Sequence, residues 1–296
     1  MSHEWGRRLL IRVASPEFGP FGVAEGRIVI AGVVLLAVGR LAVLRLVARR
    51  PLDFIVLAIT YSVVPFTLIS FATLSVAAST TSVLYATAPL FTAVIAALWL
   101  HQTIPARRAA GIGVGLTGVA IALGPTGLST SGGTLLAVGA ALRAALSYAF
   151  AGLWARRRLS DVPPTFIAAG QLTVGAVILA PFALATAPAV LPSPLAIGAI
   201  VLLALVSTAA AWPVYFGLLA RCGAMSASMV TFIVPAFGLV WGAVLLGEQI
   251  RSEVLLGFGA ILASLLLVLG VAMPNRVWRF ARQLAAERAM WAGFGL

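Results

Sequence analysis

The sequence contains no lysine, one cysteine (Cys222), two histidines and only eight acidic residues among 296 positions. A single cysteine cannot form an internal disulfide, and no cysteine and histidine cluster exists to hold a metal, so we expect neither a metal nor a cofactor. Charged residues make up 9% of the chain and hydrophobic residues 61%, whereas a soluble domain has about 25% charged residues. This scarcity of charge excludes a water-soluble fold.

The positive charge consists entirely of arginine, with 20 arginines and a formal net charge of +12. A nucleic-acid-binding protein would gather such residues on one basic surface. Here they fall in small groups between apolar runs, as orientation signals do in a multispan membrane protein. We therefore expect the lipid bilayer as a partner, and not nucleic acid.

Nine apolar runs are close to the length of about 20 residues that a membrane-spanning helix needs. They cover residues 21–46, 53–72, 79–100, 107–124, 133–155, 164–186, 195–219, 225–246 and 253–272. A tenth segment, Leu9 to Ala14, is too short to span and is flanked by arginines. The sequence thus predicts an all-α polytopic membrane protein with nine full transmembrane helices. The tenth, N-terminal helix is either shortened in this chain or cut because the chain start is incomplete.

The arginine groups occupy alternate connections between these helices. They lie at Arg45, Arg49 and Arg50, at Arg107 and Arg108, at Arg156 to Arg158, at Arg221, and at Arg276, Arg279 and Arg282. The positive-inside rule places these connections and the C-terminus in the cytoplasm. Residues 275–296 have apolar side chains on one helical face, and we expect them to form an amphipathic tail on the inner leaflet.

An internal repeat appears when the chain is shifted by 146 residues. Residues 78–124 then align with 224–270 without a gap, so that Pro89 meets Pro235 and Gly111 meets Gly257. We predict two five-helix repeats, residues 1–126 and 132–274. Five spans per half is an odd number, so the halves have opposite orientations, which is the inverted-repeat plan of many secondary transporters.

Two of the prolines are predicted to act as hinges. Pro89 and Pro235 each remove a helix amide, which leaves the carbonyl groups of Tyr85 and Thr231 without their usual partners. Such carbonyls inside a membrane should face a cavity or a polar group, although hydroxyl side chains that fill an ordinary kink remain the alternative. Pro65 and Pro213 are expected to do the same for Tyr61 and Ala209.

Candidate substrate ligands follow from residues that are costly to bury. Arg143 lies near the middle of its helix, where it should face protein or water and could hold a carboxylate or phosphate of the substrate. The alternative for Arg143 is structural, a pairing with freed carbonyls or with Glu25. Arg27 is the other arginine well inside a span. The remaining candidates are Ser147, Tyr148, Tyr85, Trp212 and Thr231.

Energy coupling is predicted from the acidic residues. Proton-driven transport usually relies on a titratable group buried in the spans. Glu25 and Glu248 are expected near the outer interface. We therefore expect facilitated diffusion or exchange.

A glycine pattern, Gly113-x-Gly115-x-x-Gly118, formally matches the dinucleotide fingerprint. That fingerprint requires a preceding strand, whereas this one lies inside an apolar helix. We expect Gly111 and Gly115 instead to allow close helix packing, either within the chain or in a homodimer.

Several short motifs resemble one family of transporters. They are the Leu-Leu-Gly-Glu-Gln-Ile run at 245–250, the helix centred on Pro235, Ser207-Thr208-Ala209 with Tyr215-Phe216, and Ser147-Tyr148-Ala149. In order and spacing they look like the EamA type of the drug/metabolite transporter superfamily. The resemblance implies ten helices in two inverted repeats and movement of small metabolites, often outward. In this family the first helix normally begins well before a Trp-Gly pair, which here is Trp5-Gly6.

The combined prediction is a secondary transporter in the bacterial inner (plasma) membrane. It would export a small polar metabolite, such as an amino acid or a related anionic or zwitterionic compound, by alternating access. A nucleotide-sugar or lipid-linked sugar carrier, or a non-transporting assembly factor, is the alternative. An enzyme is not expected, because the two histidines lie at the terminus and at a helix end.

Overall fold

The computed structural model describes residues 3–99, 103–129, 132–228, 239–240, 243 and 251–269. These residues form helices joined by short connections. The helices are α1 (His3–Arg49), α2 (Pro51–Ala58), π1 (Ile59–Val63), α3 (Val64–Ser75), α4 (Ala78–Tyr85), α5 (Ala88–Trp99), α6 (Ala106–Ser129), α7 (Gly132–Arg158), α8 (Pro164–Ala185), α9 (Pro194–Ala204), π2 (Leu205–Ala210), α10 (Ala211–Ser228) and α11 (Ser252–Leu269).

Within these residues, seven helical stretches are long and apolar enough to cross a membrane. They are Ala14–Ala37, Pro51–Ser75, Ser79–Trp99, Ala106–Gly124, Gly133–Arg158, Pro164–Ala185 and Pro194–Gly223. A shorter apolar helix covers Ser252–Val268. Each overlaps one of the nine predicted spans. Most of the span predicted at 225–246, and the tail at 275–296, lie outside the described residues.

The first helix contains two of the predicted segments. The predicted short segment 9–14 and the predicted span 21–46 lie in one helical run, α1, which is interrupted between them at Gly19. Gly19 has a φ of +67°, a left-handed conformation that glycine adopts without strain. The apolar stretch Ala14–Ala37 overlaps the predicted span.

The arginine groups described by the structure meet at one end of the helix bundle, which we call the basic end. Arg50 contacts Asp161, Arg156 donates to the carbonyl of Leu219 at 3.4 Å, and Arg157 lies over the ring of Trp99. These contacts join the end of α1 to those of α5, α7 and α10. The alternation of arginine loops read from the sequence is therefore an alternation between the two ends of the bundle.

Two spans contain a π-helical turn next to a proline. Pro65 follows π1 and Pro213 follows π2, and the first residues of the two π turns, Ile59 and Leu205, are 146 positions apart. Proline lacks an amide hydrogen and crowds the preceding turn. A π turn, which is wider than an α turn, relieves this crowding, and such turns occur frequently at functional sites.

Glycines bring α6 and α11 into close contact. A Cβ added at Gly111 would lie 2.8 Å from the carbonyl oxygen of Ser264, and one at Gly118 would lie 2.8 Å from that of Gly257. Gly115 is covered by Leu90 and Ser264. The predicted packing through Gly111 and Gly115 is confirmed, and their partner is a helix of the same chain. The homodimer stays a prediction.

Candidate functional site

An aromatic cluster inside the bundle brings together rings from π1, α4, α7 and α10. Tyr61 in π1 packs edge-on against Trp212, Tyr148 and Phe216, with ring centroids 4.8, 5.5 and 5.4 Å away. Tyr85 joins the cluster through Tyr148 at 5.2 Å. All five side chains are at least nine-tenths buried. The predicted site residues Tyr85, Tyr148 and Trp212 are therefore neighbours.

Arg27 lies beside this cluster with only 1% of its surface exposed. Its guanidinium carbon is 3.9 Å from the centre of the Phe66 ring, and Nη2 donates a hydrogen bond to the Thr208 hydroxyl at 3.2 Å. Thr208 is the fifteenth of 30 residues in its span. A charge at this depth costs about 2.5–3.5 kcal/mol to insert, even on the lenient scale. The cation–π contact and the hydrogen bond offset part of that cost.

A second buried polar contact matches that of Arg27. The Ser62 hydroxyl, in π1, donates to the side-chain carbonyl of Gln171, in α8, at 2.8 Å, and both residues are fully buried. Ser62 and Thr208 are 146 positions apart, and Arg27 and Gln171 are 144 apart. In each contact, the hydroxyl of a π turn is therefore paired with a long polar side chain of a helix that is distant in sequence: π1 with α8, and π2 with α1.

The span that contains Pro89 is broken just before this residue. Helix α4 ends at Tyr85, α5 begins at Ala88, and a turn at residues 86–87 separates them. The Thr87 hydroxyl donates to the carbonyl of Leu84 at 2.7 Å. The predicted interruption at Pro89 is thus present, beside the aromatic cluster. Its predicted hinge role stays a prediction, and Pro235 and Thr231 lie outside the described residues.

Ser147 explains where one proline-freed carbonyl finds a partner. In π-helical register the residue five positions before Pro65 is Thr60, and Pro65 has no amide to bond its carbonyl. The Ser147 hydroxyl donates to the Thr60 carbonyl at 2.8 Å. The sequence had indicated the carbonyl of Tyr61 because it assumed α-helical register.

Arg143 does not join the aromatic cluster. It is exposed on α7, and a Cβ at Gly139, one turn before it, would meet no atom within 4 Å. Tyr148 follows Arg143 by five residues and therefore points about 140° away around the helix. The predicted role of Arg143 as a substrate ligand stays a prediction.

Glu25 lies within the first apolar stretch, Ala14–Ala37, six residues after the break at Gly19. Neighbouring Gly26 faces Ile200, which is six residues from the start of α9. Glu25 is partly buried, and its Oε2 has no hydrogen-bond partner among the described residues. Its predicted position near the outer interface, and the expected facilitated diffusion or exchange, stay predictions.

Two ion pairs link distant parts of the chain at the basic end. Both nitrogens of the Arg50 fork bond the Asp161 carboxylate, at 2.8 and 2.5 Å, and Arg158 bonds Asp53 at 2.9 Å. The hydrogen bond from Arg50 holds the pKa of Asp161 below its usual value, and the same hydrogen bond raises the pKa of Arg50. The Arg50–Asp161 pair joins the α1–α2 connection to the α7–α8 connection, and the Arg158–Asp53 pair joins the end of α7 to the first turn of α2.

The sequence did not identify Tyr61, Phe66, Phe216 and Gln171 as members of this site. Tyr61 was noted only for its carbonyl, yet its ring touches four other aromatic rings. The repeat offers a signal for Phe66, because it stands 146 positions before Trp212, and the two rings stack with centroids 6.3 Å apart.

The chain is similar to a family of transporters and to two proteins that are named as transporters. The model of the EamA-like transporter family matches residues 8–124 and 135–270. The chain is 29% identical over 195 residues to "Uncharacterized transporter YoaV" of Bacillus subtilis (strain 168), covering 65% of each chain. It is 28% identical over 184 residues to "Uncharacterized transporter YvbV" of the same organism, covering 61% of this chain and 59% of the relative. The matches thus span 65% and 59% of the lengths of these two relatives.

One solved crystal structure has a similar fold. It superposes with a TM-score of 0.65 at 18% sequence identity, over 89% of this chain and 94% of the other. At this identity the similarity concerns the fold alone.

Proposed function

Because this chain belongs to the EamA-like transporter family, we propose that it exports a small anionic or zwitterionic metabolite, such as an amino acid, by alternating access. The observation that carries the proposal is Arg27, a buried guanidinium beside an aromatic cluster at the middle of the bundle. Intramembrane charged residues mark substrate or ion pathways. Transport, and not catalysis, is the activity that the family and its relatives have in common.

The chemistry of the site favours a substrate with a carboxylate or phosphate group. A guanidinium offers a planar fork of donors that matches such groups in a bidentate manner. The faces of Tyr61, Tyr85, Tyr148 and Trp212 would contact an apolar or cationic part of the same molecule. In the conformation described, these rings pack on one another, so substrate binding requires them to separate.

Alternating access is supported by the two matching polar contacts. Arg27 with Thr208, and Ser62 with Gln171, lie at two seams that connect early and late parts of the chain. We propose that two inverted five-helix repeats rock against each other along these seams, with the break before Pro89 as a hinge. Interrupted helices are typical of the substrate sites of such transporters.

The basic end is proposed to be cytoplasmic, in a bacterial inner membrane, because arginine-rich connections favour that side. The Arg50–Asp161 and Arg158–Asp53 pairs would close this end when the substrate site opens to the opposite side. Arg143 would line the aqueous path that leads to the cluster, one helical turn from Ser147.

The test is substrate flux in proteoliposomes. The purified chain is assayed with a panel of amino acids and small organic anions, together with Arg27→Gln and the control Arg108→Gln, an exposed arginine of α6. Loss of a charged hydrogen-bond donor should lower flux of the preferred substrate by about 10- to 100-fold in Arg27→Gln only. Absence of flux for every compound, or equal flux in both variants, would contradict the proposal.

A further inference from the structure

The two ion pairs of the basic end border a cleft of about 640 Å³. The cleft is lined by Arg49, Arg50, Pro51, Leu52, Asp53, Arg157, Arg158, Ser160 and Asp161. Residues 49–53 run from the end of α1 into the start of α2, and residues 157–161 run from the end of α7 into the α7–α8 connection. The cleft thus lies between two segments that are more than 100 positions apart in the chain.

Two of the four arginines of the cleft are not neutralised. Arg50 and Arg158 pair with Asp161 and Asp53. Arg49 has no hydrogen bond or ion pair to any residue that the structure describes, and Arg157 makes only a contact with the Trp99 ring, 5.4 Å from its centre. The cleft therefore carries two positive charges that are available to an anion.

Tryptophans fix the depth of the cleft relative to the bilayer. Trp99 lies under Arg157, and Trp154 lies 5.9 Å from the guanidinium of Arg158. Tryptophan side chains gather at the level of the lipid headgroups. Leu52, which also lines the cleft, is 74% exposed and provides an apolar surface at its edge.

We infer that this cleft binds the headgroup of an anionic phospholipid. Arg49 and Arg157 would donate to its phosphate, Ser160 would add a hydroxyl donor, and Leu52 would contact the start of an acyl chain. Basic pockets between transmembrane helices, at the headgroup level, suit such lipids. Free phosphate would satisfy the same arginines but would make no use of Leu52 or of the depth set by the tryptophans.

Lipid binding would have a conformational consequence. A ligand that contacts both connections binds better when they are adjacent, and so favours the state in which they are adjacent. An anionic lipid should therefore hold the basic end closed. This inference is independent of the transported substrate, because lipid binding is measurable without any flux.

The experiment uses the full chain purified in a neutral detergent. It is titrated separately with phosphatidylglycerol, phosphatidylcholine and inorganic phosphate, while retained lipid is counted by native mass spectrometry and the melting temperature is recorded. We expect phosphatidylglycerol to be retained and to raise the melting temperature. The double variant Arg49→Gln/Arg157→Gln should bind it about 30-fold more weakly, because two arginine–headgroup attractions are lost.

The matched control is Arg45→Gln/Arg108→Gln, which removes two exposed arginines outside the cleft and should bind as the wild type does. Native mass spectrometry counts lipid on the folded protein, so a loss of yield in a variant does not obscure the result. Equal retention of phosphatidylcholine, unchanged binding in the cleft variant, or a full melting shift with inorganic phosphate alone would overturn the lipid assignment.

Discussion

Gly257 is the position at which one added methyl group should separate α6 from α11. A Cβ there would lie 2.4 Å from the carbonyl oxygen of Gly118 and 2.6 Å from the backbone nitrogen of Ala122. Ordinary van der Waals contact begins near 3.4 Å. In Gly257→Ala the two helices must therefore move apart by about 1 Å, which weakens the other contacts along their interface.

The expected magnitude follows from two opposing effects. Overpacking a filled interface costs about 1–3 kcal/mol, and the upper part of that range applies because backbone atoms cannot rotate away. Replacing a helical glycine with alanine contributes about 1 kcal/mol in favour of the helix. At Gly259, two residues later, an added Cβ meets no atom within 4 Å, so Gly259→Ala should show only the favourable effect.

The two variants should therefore differ in free energy of unfolding by about 2–3 kcal/mol, or roughly 30- to 150-fold in the equilibrium constant. Unfolding of each purified variant in a mild detergent, followed by circular dichroism, gives this difference directly. Gly115→Ala and Gly113→Ala form a second pair, because Gly115 is covered and Gly113 is open. Equal stability within both pairs would refute the glycine-mediated packing of α6 and α11.

Four further predictions concern transport and topology. Arg143→Gln should fold as the wild type does and lose transport of the anionic substrate, since Arg143 is exposed at mid-span; normal transport would contradict its proposed role. In a Cys222→Ser background, Leu191→Cys should react with an impermeant thiol reagent in intact cells and Ser160→Cys only after lysis; the reverse pattern would invert the topology. Uptake by the wild type and by Glu25→Gln should not depend on a pH gradient, as expected for facilitated diffusion or exchange; uptake that requires the gradient and is lost in Glu25→Gln would contradict this. Because the pKa of Asp161 is lowered, its pair with Arg50 should stabilise the fold above about pH 3.9, the ordinary pKa of an aspartate. This stabilisation should be lost as the pH falls through the lowered pKa of Asp161. If the stability difference between the wild type and Asp161→Asn disappeared between pH 8 and pH 5, the prediction would be wrong.

Hydropathy and length were sufficient to predict most of the spans, because an apolar run of about 20 residues has the length that a helix needs to cross the bilayer core. The separation of the predicted segments 9–14 and 21–46 has a counterpart in the structure, because α1 is interrupted at Gly19, between two prolines of the same helical run.

The candidate site was predictable at positions where a charged or aromatic side chain stands inside an apolar span. Arg27 and Tyr148 were identified because buried charge and membrane aromatics are conspicuous, and both lie at the centre of the bundle. Tyr61 was missed because its role depends on which face of the helix it occupies. That face depends on a π turn, which has no periodicity of its own in the sequence.

The π turns have a further consequence for anyone who draws a helical wheel through these spans. Each one inserts an extra residue per turn, so side chains beyond it are rotated by about 100° from the positions that a uniform α-helix assigns. One helical-wheel projection therefore cannot describe both the residues before Ile59 and the residues after Val63. Cysteine-scanning data from this span should accordingly show a one-residue phase change at π1, and the span that contains Leu205–Ala210 should show the same change.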